Sequence, residues 1–543
     1  MPLHGRCRLL TADVCWDEWY ALEPLRGEKE IPVKRKRLMD TFVIWGVLWI
    51  CAVFVLSAQA GEPKRGGILK VGQVGGVLNF DGHRLSRGNY PMLNQVYNTL
   101  LRYDDQLKPH PDLAESWSFS KDGLTLELKL RQGVKFHNGR ELVADDIVWN
   151  IQRVQDPKVA AHIRPLSLTV KSVEAVDRYR VALRTEKPTP AVLDLFDTMY
   201  IMAKEAAPDI QKSGIGTGPF QLVEWIPGDK VVFKKFPNYF KKDLPYLDGV
   251  ILQQIPDAPA MVVNLEAGAL DVAYDVLPRD AARLMNDRKA VLLQGMAGAG
   301  VFDIMMNVSR PPFDNKKVRH AINHSVDRKR FVETGLAGFG DPWCQPFPPQ
   351  SLGFSKELGT EHCTFDLTRA KQLLAEAGYP NGFEAVLHIS TATFPTARHL
   401  AQILQSDLAK IGVRLTIRDV ESAEYREVTW GTKNKFAIVL HEYGRANRDP
   451  DTLFKAAGAW YTKDGMTTFT SPEYIQLVDE AGTTLDVAKR RRLYDQIARY
   501  LADQAFTIPI APNLTLTAIR PTAEGVAANT DAQIILEGAW LTR

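Results

Sequence analysis

Between Thr396 and Phe454 the chain alternates helix and strand signatures so regularly that few folds can take it. Leu400, Ile403, Leu404, Leu408 and Ile411 form one apolar stripe over Thr396 to Ile411, and Gly412 stops that helix. Val413 to Ile417 reads as a strand, Ser422 to Thr429 as a helix, and Phe436-Ala437-Ile438-Val439-Leu440 as a buried strand. Strands alternating with helices give an α/β fold whose sheets are covered by helices. The last strand opens into a polar, turn-rich segment from His441 to Asp451 that lines up Tyr443, Arg445, Asn447, Arg448 and Asp449. Open α/β sheets hold their ligands at such strand ends. The competing reading is a solvated loop in which Pro450 and Asp451 only start the next helix.

Upstream, the same reading predicts a strand over Ile68 to Gly72 and a helix over Pro91 to Leu101. A β-rich block follows, in which Leu124 to Leu130 alternates at period two, with one buried and one wet face. Asn138-Gly139 is a turn signal, Ala144 to Gln155 is helical, and Tyr179 to Arg184 is a short strand. The glycines of Gly214-Ile215-Gly216-Thr217-Gly218 resemble a nucleotide loop. However, Pro219 and the strand-like Phe220 to Val223 follow, not a helix N-terminus, so the loop does not cradle phosphate. A second region starts near Val301, with helices over Asp314 to Val326 and over Thr368 to Ala377, the latter closed by Gly378 and Pro380. No internal repeat or low-complexity linker separates these regions, so ordered crossovers join the domains.

The chain has 543 residues and a net charge of +3, enough for two or three domains and without the basic face that nucleic acid requires. Residues 41 to 56 are continuously apolar, preceded by Lys34-Arg35-Lys36-Arg37 and followed by Ala58-Gln59-Ala60. Basic n-region, short apolar core and small-x-small site make a secretory signal peptide cut after Ala60. An uncleaved anchor is the alternative, although the run is shorter than the roughly 20 residues of a spanning helix. Residues 1 to 32 carry six acids and fit no secretory pattern; translation from near Val33 or Met39 is expected. Past the leader only Cys344 and Cys363 remain, an even pair that suggests a disulfide in an exported chain.

Several segments together resemble the extracellular solute-binding proteins of bacterial ABC importers, the peptide/nickel-type family 5. They are GGILKVG at 66–72, LAESWSFSKDGLTLELKLRQGVKFHNGRELVADDIVW at 113–149, GTGPFQL at 216–222, NKKVRHAINHSVDR at 315–328 and ARHLAQILQSDLAKIGV at 397–413. The resemblance, which runs from about residue 64 to the C-terminus, implies a two-lobed periplasmic-binding-protein-like fold with a hinge and an extra β-rich subdomain. Lobe one is expected over 61–98, 205–300 and 508–543, the subdomain over 99–204, and lobe two over 301–507, after a leader over 1–60. It further implies a monomeric, non-enzymatic periplasmic receptor without cofactor, working with inner-membrane permease subunits and a cytoplasmic ATPase. The ligand is a peptide or another small polar solute enclosed between the lobes.

Site residues follow in part. Aligning Asp449-Pro450-Asp451 with the family's D-P-D puts the acid that pairs with a peptide's α-amine at Ala446. The arginine that receives a dipeptide's carboxylate falls near Thr391. With both contacts missing, a desolvated amine would lack its counter-ion, at a cost of several kcal/mol. Arg445 and Arg448 flank Ala446 and suit a carboxylate, phosphate or sugar acid; the bland reading has them in solvent or paired with Asp449 and Asp451. Tyr443, Trp343, Phe394 and Phe80 are candidate apolar walls, each as readily core. Alternatives are an opine, sugar-phosphate or oligosaccharide on the same scaffold, or a membrane-anchored sensory or chaperone-like module.

Catalysis is not indicated. His320 and His324 stand four apart on a helix, but no Glu follows His320 as in H-E-x-x-H. His441-Glu442 lacks a second histidine, no G-x-S-x-G elbow occurs, and no nickel or heme ligand spacing is present.

Overall fold

The computed structural model describes residues 62–84, 87–391, 394–430, 436–443, 448–455 and 465–543. The leader, the expected cleavage site, Arg445, Ala446 and Asn447 lie outside them.

β1 (Ile68–Gln73) is followed by helix α1 (Tyr90–Val96). Next come β2 (Ala114–Phe119), β3 (Thr125–Leu130), α2 (Ala144–Gln155), β4 (Val170–Asp177), β5 (Arg180–Thr185) and α3 (Val192–Thr198). The chain returns through β6 (Phe220–Ile226), β7 (Lys230–Lys235), β8 (Gly249–Gln254) and β9 (Val272–Ala273) to the long β10 (Val291–Met306). The second region holds α4 (Lys316–Ser325), α5 (Leu367–Glu376), β11 (Glu384–Ile389), α6 (Ala397–Ala409), β12 (Arg414–Asp419) and β13 (Ile438–Tyr443). It ends with α7 (Pro450–Lys455), α8 (Val487–Gln504) and the long β14 (Thr507–Ile519).

Ten of these strands form one mixed sheet in the order β12-β11-β13-β10-β14-β9-β1-β8-β7-β6. Two long antiparallel strands, β10 and β14, run through its middle. Val291 to Met296 of β10 pair with Ile519 to Leu514, and Val301 to Met305 pair with Pro512 to Thr507; the register shifts between the two stretches. β9 joins the first stretch and β13 the second. The irregularity thus divides the sheet into two halves, because a bulge bends the strand that carries it. The parallel pairs β1–β8 and β11–β12 sit one in each half.

A separate antiparallel sheet, β2-β3-β5-β4, closes over α2 around a core drawn from residues 100–203, including Leu128, Phe136, Ile147 and Phe196. β3 shows the alternation its sequence predicts: Leu126, Leu128 and Leu130 are buried while Thr125, Glu127 and Lys129 are not. Helix α6 likewise buries Leu400, Ile403, Leu404 and Leu408.

Helix α1 is shorter than predicted, ending at Val96 rather than Leu101. The glycine loop explains this. Gly218 N–H donates to Val96 O at 2.9 Å, and a Cβ on Gly218 would come within 2.5 Å of the Val96 carbonyl carbon. Gly216 and Gly218 therefore let two backbones touch, and the chain leaves helical geometry at Tyr97. Cys344 and Cys363 are joined, with Cα atoms 5.8 Å apart. Their loop is pinned by the buried Arg328, which donates to the carbonyl oxygens of Trp343 at 3.0 Å, Pro509 at 2.9 Å and Cys363 at 3.1 Å.

Candidate functional site

The break in β10 and β14 brings residues of both halves to one cleft. Phe302 lies on β10 just past the register shift, opposite Glu442 of β13. Asn513 lies on β14 within the break, between Leu514 and Pro512, which end the two paired stretches. From the first half comes Asp275, two residues beyond β9 and in the left-handed conformation with φ 60°. Phe339 and Phe394 supply further walls, and the remaining cavity is about 50 Å³. That is room for one or two waters, so a solute enters only when the walls separate.

Polar groups in this cleft are few. Asn513 Nδ2 donates to Glu442 Oε1 in a short hydrogen bond. His441, next to Glu442 on β13, is buried, its ring 6.0 Å from Tyr425 and 5.9 Å from Phe394. Burial pushes its pKa down to about 3, so it is neutral at physiological pH. Its neighbour across the ladder, Asp303, has no exposed surface, and burial raises its carboxyl well above the usual range although Thr507 Oγ1 donates to it at 2.7 Å. Burial thus disfavours the charged forms of both His441 and Asp303, and the acidic residues that line the cleft are Asp275 and Glu442.

Several expected wall residues sit elsewhere. Arg448 is sealed, with 1% side-chain exposure, between Asp197 Oδ2 at 2.5 Å and Asp531 Oδ2 at 3.0 Å. Burial opposes its charge, but the two aspartates outweigh that and raise its pKa. It is unavailable to a ligand anion because it already neutralises two carboxylates. Asp449 is held by a two-pronged contact with Arg490 at 2.8 and 2.9 Å. Thr391 donates through N–H and Oγ1 to Asp419, at 2.9 and 2.7 Å, closing the end of β12. Phe80 is core, its ring 5.3 Å from Trp225 and 6.5 Å from Phe233. Trp343 packs against the core behind β13 and donates its N–H to Ile510 O. Phe394 does line the cleft, and Tyr443 ends β13 opposite Val301.

The ligand contacts expected from the sequence do not include Asp275, Phe302, Phe339, Glu442 or Asn513, which the fold brings to this cleft. Glu442 lies two residues past Leu440, the end of the apolar run, and Asn513 interrupts the apolar β14, so a polar residue set into a buried strand is the available signal. Asp275 carried none. A larger groove of 1080 Å³ runs along β11 and β12, but its lining residues, from Glu384 to Ala437, all come from the second half. It therefore cannot couple a ligand to both halves.

Residues 108–465 match the family model described as bacterial extracellular solute-binding proteins, family 5 Middle. Heme-binding protein A of Haemophilus influenzae is 31% identical over 465 residues, covering 79% of this chain and 84% of that protein. Glutathione-binding protein GsiB of Escherichia coli K12 is 29% identical over 432 residues, covering 76% and 82%. Among solved structures, HbpA2 of Haemophilus parasuis superposes with a TM-score of 0.74 at 28% identity, covering 88% of this chain and all of that one (100%).

Proposed function

Because this chain belongs to the bacterial extracellular solute-binding proteins, family 5, the receptor components of ABC importers, we propose that it captures an amine-bearing, peptide-like solute between its two halves. The observation that carries this reading is the cleft wall itself: the carboxylates of Asp275 and Glu442 and the amide of Asn513, set among Phe302, Phe339 and Phe394. An ammonium group leaving water needs such a counter-charge, and the aromatic walls suit a short side chain. The glutathione-binding relative supports a ligand of this size. Readings built on an anionic ligand lose Arg448, which is paired within the protein.

Residues 61–98, 205–300 and 508–543 then form lobe one, 99–204 its subdomain and 301–507 lobe two. The leader directs export to the periplasm, where the closed receptor meets permease subunits driven by a cytoplasmic ATPase.

The test is calorimetric and thermal-shift titration of the exported protein, whose mature N-terminus is expected at Gly61, with glutathione, di- and tripeptides, their N-acetyl derivatives, opines, sugar phosphates and oligosaccharides. A peptide at 100 times its dissociation constant should stabilise by about 2.7 kcal/mol. N-acetylation or Glu442→Gln should weaken binding by roughly ten- to a hundred-fold, the worth of one charged hydrogen bond. Equal affinity for free and acetylated peptides, or binding of sugar phosphates alone, would overturn the reading.

A further inference from the structure

We infer that Arg448 is the bolt of a built-in latch that holds the two lobes together in the absence of ligand. The proposal rests on the lobe assignment above, by which α7 belongs to lobe two while α3 and Asp531 belong to the other side of the cleft.

The latch is made from both sides. Asp194 and Asp197 are one helical turn apart on α3, so they present their carboxylates on one face. Tyr103 fixes both: its hydroxyl donates to Asp194 Oδ1 at 3.1 Å and its N–H to Asp197 Oδ1 at 3.3 Å. Asp531 is set by a turn in which its N–H donates to Asn529 Oδ1 at 3.0 Å. Into this frame comes the start of α7. Arg448 grips Asp531 with two nitrogens, at 3.0 and 3.1 Å, and Asp197 with one. Asp449 N–H and Thr452 Oγ1 both donate to Asp194 Oδ2, at 3.0 and 2.7 Å. On the lobe-two side Asp449 is braced by Arg490 of α8.

A second contact lies nearby. The side chain of Leu485, just ahead of α8, packs over Gly123 in the turn between β2 and β3, where an added Cβ would come within 2.7 Å. Each contact joins the lobes through the chain's own side chains, beside a cleft that has room for one or two waters.

A guanidinium removed from water against two carboxylates is costly to strand, so the ion pairs are made or broken together. Closure is then a property of the resting protein, and ligand capture must compete with it. A binding-competent open state that is only fractionally populated lowers apparent affinity by that fraction.

The test uses the exported chain without ligand, carrying spin labels at Lys121→Cys and Lys489→Cys, with the interlobe distance read by pulsed electron paramagnetic resonance. The native protein should give one short population. Replacing the bolt and its sockets together, as Arg448→Met with Asp197→Asn and Asp531→Asn, should add a longer one. Thr452→Ala removes one latch hydrogen bond without stranding a charge, and should produce the same lengthening in part even if the triple variant does not fold. Distance distributions unchanged in Thr452→Ala and in any folded triple variant, or a native protein already open, would overturn the latch. Since no peptide is present, failure of the ligand reading leaves this result intact.

Discussion

His83 shows how far burial can fix a residue's chemistry. It has no exposed surface, donates through Nε2 to Tyr200 O at 3.1 Å and accepts from Arg153 at 2.9 Å. Burial, then the Arg153 charge, push its pKa down to about 3 despite Asp81 nearby. Above pH 6.5 both folded and unfolded states hold it neutral, and its contribution is complete. As pH falls towards 3, only the unfolded chain takes the proton, so stability is lost. Between pH 7.5 and 5 the native protein should lose about 2 kcal/mol more than His83→Gln, measured by urea unfolding. Buried acids such as Asp303, whose raised pKa gives an opposite slope, are common to both proteins and cancel in the comparison. Parallel profiles would sink this account. Arg328 carries the same lesson: surrounded by carbonyls rather than a carboxylate, it is pushed down to about 9 by burial.

Among elements, the decisive contacts lie where backbone meets backbone. Gly218 faces Gln95 O at 2.6 Å and Tyr97 N at 2.7 Å from its virtual Cβ, with no flexible side chain to give way. Gly218→Ala must therefore push α1 from the β6 edge, and should cost upwards of 1–3 kcal/mol, the range for overpacking. An unchanged urea midpoint would mean the loop is free to move. Periodicity revealed the elements well: α2 has the limits expected, and α4 to α6 differ by a few residues at most. Helix α1 overran because its stop signal lies about 120 residues downstream, in a loop whose glycines read locally as a turn.

At the scale of the whole molecule, the sheet's middle strands decide what can move. β10 and β14 each pass through both halves, and their register breaks beside the cleft. A ligand touching Asp275 on one side and Phe394 or Glu442 on the other stabilises only the arrangement in which those walls are close. Hydrogen exchange with saturating glutathione or tripeptide should slow at 274–278, 394–396 and 511–514 together. Slowing confined to one half would mean the solute does not bridge the cleft.

The α/β class, the cysteine pair and the resemblance to the family are legible along the chain, because periodicity, turn residues and long motifs are local in it. Which charged residues are already paired within the protein is legible only in the tertiary structure. Arg448 looked available beside Ala446, but its partners Asp197 and Asp531 lie 251 residues before it and 83 after. Asp275 and Glu442 looked ordinary until β9 and β13 brought them to one cleft. Charge pairing acts through space at a few ångströms, and no pattern along the chain records it.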